Sequence, residues 1–114
     1  MNYTLNIGLG NNPLDSVDIC VKLRELGVTV TDIDIQTTKE SNWCEEQVVV
    51  VDIETELTPS DLYLLIERMC VITEQEAIAF RANNKNTPYM GYIAYHPSYT
   101  GEFYEFNSQY FKTI

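Results

Sequence analysis

Val48-Val49-Val50-Val51-Asp52-Ile53, followed after four intervening residues by Thr58-Pro59-Ser60-Asp61-Leu62, decides the fold. The first stretch reads as a strand, because β-branched residues fit a pleated, packed surface. The second reads as a helix start. Thr58 can accept an orphan N–H at the cap, Pro59 has its φ pre-set for the first helical position, and Asp61 sits in the positive first turn. From 59 to about 70, Leu62, Leu65, Ile66 and Met69 recur at i, i+3, i+4 and i+7, the spacing of one buried helix stripe. The same grammar stands forty-six residues earlier. Residues 4–9 alternate as a strand, Gly10-Asn11-Asn12 breaks it, and Asn12-Pro13-Leu14-Asp15 opens a helix with Asn12 as its cap. That helix runs to about Leu26, where Gly27 can take the left-handed stop conformation. Pro13 maps onto Pro59, Asp15 onto Asp61, and Ile7 onto Ile53.

Each helix leads into another strand, over 28–36 and over 76–81. The order βαββαβ over residues 3–81, two βαβ-type halves, resembles the ferredoxin-like arrangement. That resemblance is of fold alone. It implies an α+β domain with an antiparallel sheet and both helices on one face, and such domains often bind small ligands or pair through their sheets. Two further strands, 89–95 and 102–106, are expected to form an aromatic-rich C-terminal hairpin within 88–107. The whole chain, 1–114, reads as a single domain with no linker or low-complexity stretch.

The bounds on function come from composition. A chain of 114 residues affords one hydrophobic core. Seventeen acidic residues against seven basic ones give a net charge of −10, which repels nucleic-acid phosphates and anionic lipid. No apolar run approaches the ~20 residues of a membrane span, and MNYTLNIGL lacks a basic secretory n-region. Cys20, Cys44 and Cys70 are too few for a disulfide framework, so a reducing cytoplasm is expected. With His96 the single histidine, there is no cluster of metal-ligand spacing. No nucleophile motif accompanies it, and neither an enzyme nor a cofactor is expected.

Two surfaces remain as candidates. The first would hold a small anionic or nucleotide-like ligand. Gly8, Gly10, Asn11 and Asn12 join a strand to a helix N-terminus, where free amides and the helix dipole favour an anion. Arg81, Lys85 or Arg24 would supply counter-charge, Asn83 and Asn84 amides, and Tyr92, Tyr95, His96 and Tyr99 polar or stacking contacts. Tyr89, Tyr92, Tyr95, Tyr99, Phe103, Tyr104, Phe106, Tyr110 and Phe111 all follow Pro88. Such density fits an interface, so a homo-oligomer is expected, acting as a sensor or a sequestering sponge. The second surface is acidic. Asp32 and Asp34 alternate with Ile33 and Ile35, placing both carboxylates on one strand face, and Glu40, Glu45, Glu46, Asp52, Glu54 and Glu56 add to the same half of the sheet through the hairpin. It would occupy a basic site on another protein, as an inhibitor or nucleic-acid mimic. Small acidic domains are frequent among phage and mobile-element products, whence an anti-defence accessory role is a further expectation.

Overall fold

The computed structural model describes residues 1–38, 46–83, 91–99 and 111–113. Its elements in chain order are β1 (Asn2–Gly8), α1 (Ser16–Glu25), β2 (Thr29–Thr38), β3 (Glu46–Glu54), α2 (Pro59–Thr73), β4 (Ala77–Ala82), β5 (Gly91–Tyr95) and β6 (Phe111–Thr113). The fold is α+β, with two helices and five strands in antiparallel pairing.

The sheet extends past the four strands of the βαββαβ order, and its order is β2-β3-β1-β4-β5-β6. β5 continues the sheet antiparallel to β4, and β6 then pairs parallel with β5, Gly91 opposite Phe111. This parallel strand, β6, lies beyond the span 88–107 of the expected hairpin. The expected strand 102–106 lies outside the described residues.

Alternation along the strands sorts the two faces. Tyr3, Leu5 and Ile7 of β1, Val49, Val51 and Ile53 of β3, and Ile78 and Phe80 of β4 are buried in one cluster. Ile19 and Leu23 of α1 and Leu62, Ile66, Met69 and Cys70 of α2 close over the same side. Both helices therefore cover one face, α1 beside β2 and α2 beneath β4 and β5. Asn2, Thr4 and Asn6, with Val48, Val50 and Asp52, turn to the other face. Among the described residues no helix is long and apolar enough to cross a membrane.

The first helix starts one turn later than expected. Its N-cap is Asp15, whose carboxylate accepts from the Asp18 amide at 2.9 Å. Asn12 instead secures the preceding turn, its Nδ2 donating to the Gly8 carbonyl (2.9 Å) and its Oδ1 accepting from the Leu14 amide (2.8 Å). Thr58 caps α2 as expected. Both helices end in the same way. After α1, the amides of Gly27 and Val28 return to the carbonyls of Arg24 and Leu23, with Gly27 at φ +97°. After α2, Glu74 and Gln75 return to Val71 and Cys70, but here Glu74 holds the left-handed position at φ 54°. A side chain there is strained, and its negative charge faces the negative helix end. Glu74→Gly should therefore raise the unfolding free energy by about 0.5–1 kcal/mol, measured by urea denaturation. A loss of stability would show that Glu74 is held by more than these terms.

Candidate functional site

The open face of the sheet carries a polar row one residue deep. Cross-strand register aligns Asp32 of β2, Asp52 of β3, Thr4 of β1, Arg81 of β4 and Gly91 of β5. Asn83 Nδ2 donates to Thr4 Oγ1 at 2.7 Å, and Thr4 Oγ1 donates to Asp52 Oδ1 at 2.7 Å. This chain ties β4, β1 and β3 together outside the core. Asp32, directly opposite Asp52, is exposed. Two carboxylates facing each other across a ladder repel, and the Thr4 hydroxyl offsets that cost on the Asp52 side only. The next row brings Asp34 opposite Val50. Asp34 accepts from the Ile35 amide through Oδ1 at 2.9 Å and from Gln36 Nε2 through Oδ2 at 3.2 Å. Among the described residues the ion pair is Lys22–Glu25 on α1, at 3.3 Å, away from this face.

Asp32, Asp34 and Asp52 are thus gathered on one face of neighbouring strands. Glu54 follows Asp52 on the same side, two residues along β3. Glu46 opens β3 opposite Thr38; its side chain and all of Glu45 lie outside the described residues.

The residues expected to hold a small ligand are divided between two ends of the sheet. Arg81 pairs with Thr4, and the Asn83 amide donates to the Asn2 carbonyl at 2.8 Å. Gly8 lies four residues further along β1, about 13 Å away at the strand rise, and Gly10, Asn11 and Asn12 continue outward from there. The turn is internally bonded. Leu9 N–H donates to Gln47 (3.0 Å), Asn12 N–H to Leu9 (3.2 Å), and Gln75 Nε2 reaches the Gly10 carbonyl at 3.0 Å. The positive end of α1 is taken by Asp15, with Asp18 beside it.

Tyr95, His96 and Tyr99 gather at the glycine-turn end, since Tyr95 pairs with Ala77 and His96 N–H donates to Glu76 at 2.8 Å. Tyr95 and Tyr99 stack on each other, ring centroids 4.9 Å apart and 24° from parallel. Burial, and then the neighbouring phenols of Tyr99 and Tyr63, push the Tyr95 hydroxyl up to about 12. His96 Nδ1 accepts from the Ser98 amide at 3.0 Å. Tyr92 lies on the helix side of β5 and stacks on Phe80 at 5.3 Å. Asn84 and Lys85 lie outside the described residues. So the structure brings Arg81 near Asn83, and Tyr95 near His96 and Tyr99, but it separates both groups from Tyr92's face.

Sequence reasoning missed Thr4, whose hydroxyl links Asn83 to Asp52. Only register reveals it, because those residues stand far apart in the chain. Among the described residues no group of three His, Cys, Asp or Glu side chains is placed to hold a metal ion. Comparison with family models, curated proteins and solved structures returns no match.

Proposed function

We propose that this chain is a non-enzymatic binding protein that engages a basic segment of another protein through the acidic half of its sheet. The observation behind this is Asp32 directly opposite Asp52, with Asp34 on the same face. Placing like charges opposite each other costs stability; a Lys or Arg from a partner would relieve that repulsion. The net charge of −10 adds long-range attraction for a basic partner and speeds its encounter. The same proposal takes β1 to β4 and the two helices as a ferredoxin-like unit, supported by the order β2-β3-β1-β4 within the larger sheet.

The test uses a fluorescent peptide of alternating lysine and valine. Asp32→Asn/Asp34→Asn should weaken its binding at least about tenfold, as two charge-assisted contacts are lost. Affinity should also fall as salt rises. Asp18→Asn/Glu25→Asn removes the same charge from α1, on the other side of the sheet, and should leave the affinity nearly unchanged. Equal effects from the two double variants would overturn the reading, because binding would then follow net charge alone.

A further inference from the structure

We propose that the partner docks by adding a strand to the outer edge of β2, and that the docking segment alternates basic with apolar residues. This rests on the reading above and supplies its geometry.

Backbone direction follows from the ends of the neighbouring ladder. Leu9 N–H donates to the Gln47 carbonyl at 3.0 Å, and Thr55 N–H donates to the Met1 carbonyl at 2.9 Å. Backbone groups alternate between the two edges of a strand. The odd-numbered residues of β3, from Gln47 to Ile53, therefore turn their N–H and C=O groups toward β1. Val48, Val50 and Asp52 turn theirs toward β2, where they meet Gln36, Asp34 and Asp32. By the same alternation, the backbone groups of Ile33 and Ile35 point away from the sheet. β2 is the terminal strand, and among the described residues nothing pairs with that edge. The Ile35 amide is consistent with this: its bond goes to the Asp34 carboxylate and not to β3.

The two sides of this edge differ in chemistry. Ile33 and Ile35 are 37% and 52% exposed on the helix side, while Asp32 and Asp34 stand exposed on the open face. An added strand places its own residues in register with both rows. Those opposite Ile33 and Ile35 must be apolar, and those opposite Asp32 and Asp34 must be Lys or Arg. Strand addition of this kind takes affinity from main-chain bonds and specificity from alternate side chains. Two of the registers open to a second copy of this chain oppose like charges. If two β2 strands pair antiparallel with Ile33 opposite Ile35, Asp34 meets Asp34. With Ile33 opposite Ile33, Asp32 meets Asp34. Asp34 also shields the lone edge by holding the Ile35 amide, as charged residues at sheet edges commonly do. Docking would release that carboxylate to a partner cation.

The experiment compares three forms of the alternating lysine–valine peptide: unmodified, N-methylated at the valines, and N-methylated at the lysines. The added strand runs antiparallel to β2, so valine amides would donate to the carbonyls of Ile33 and Ile35, whereas lysine amides would face outward. Valine methylation should weaken binding at least about tenfold, and lysine methylation by less than about twofold. Hydrogen exchange at the Ile33 and Ile35 amides should slow in the complex. If both methylated peptides bind as the unmodified one does, strand addition is overturned and the electrostatic reading stands. If no peptide distinguishes the parent chain from Asp32→Asn/Asp34→Asn, that earlier reading fails too. A dimer seen by sedimentation that the peptide cannot dissociate, with Ile33 and Ile35 protected in it, would make a second copy the occupant and overturn the proposal.

Discussion

Phe80→Ala should lower the unfolding free energy by about 3–5 kcal/mol. A domain of this size holds only about 5–15 kcal/mol in all, so the variant should be partly unfolded near 37 °C. Phe80 has no exposed surface, and it sits in β4 between Leu5 and Tyr92 in register. Its ring lies 6.4 Å from Tyr3 and 5.3 Å from Tyr92. Truncation would empty the place where β1, β4 and β5 share a side-chain layer, and the strand backbones, bonded on both edges, cannot collapse into it. Phe80→Leu should cost much less, since most of the volume stays. Urea denaturation followed by far-UV circular dichroism measures both. A loss under about 1 kcal/mol for the alanine variant would mean that this layer is not packed as described.

Cys70 should resist alkylation in the folded protein by a factor of about a thousand or more relative to the denatured chain at pH 8. Burial, with Glu67 nearby as the next cause, pushes its thiol up to about 12. The side chain has no exposed surface, and its Sγ–H points to the Ala94 carbonyl at 3.4 Å. The thiolate is the reactive form, and almost none exists in the folded state. The same shift makes the fold sensitive to alkali. Below the ordinary thiol range both states hold the proton, and the contribution of Cys70 is complete. Above it the unfolded chain releases the proton while the folded chain keeps it, so stability falls as pH climbs toward 12. The slope is at most about 1.4 kcal/mol per pH unit from this group. Cys20 is shifted in the same direction, again chiefly by burial. Between pH 9 and 10, Cys70→Ala should flatten the decline in urea midpoint; an unchanged slope would remove Cys70 as its source. Iodoacetamide labelling read by mass spectrometry checks the protection directly.

Much of the scaffold could be read from spacing. The Leu62, Ile66, Met69 stripe, the cap at Thr58 and the stop at Gly27 each rest on local chemistry, and each is where that chemistry puts it. The misses were also local. Asn12 and Asp15 are both good caps; Asn12 was spent on the turn, leaving Asp15 for the helix. The end of α2 carried no glycine signal because Glu74 bears the left-handed strain itself. What spacing could not supply was register. Asp32, Asp34 and Asp52 were legible as carboxylates of one half of the sheet, but the register that sets Asp52 directly opposite Asp32, with Thr4 and Asn83 behind it, depends on which strands meet. The glycine turn and Arg81 looked like parts of one site for the same reason. They flank opposite ends of β1, and nothing local in the chain measures that distance.

The central place of β1 has a kinetic consequence. β1 is made before its neighbours, yet one edge waits for β3 and the other for β4, Asn2 meeting Glu54 and Tyr3 meeting Ala82. Until the segment ending at Ala82 has left the ribosome, β1 has no complete set of main-chain partners. α1 and β2, made next, cannot help, since β3 stands between β2 and β1. Cooperative folding is therefore held back until most of the chain has been translated. Pairings so distant in sequence close slowly, and during that interval the nascent β1, with Tyr3, Leu5 and Ile7 uncovered, is the segment most in need of a chaperone.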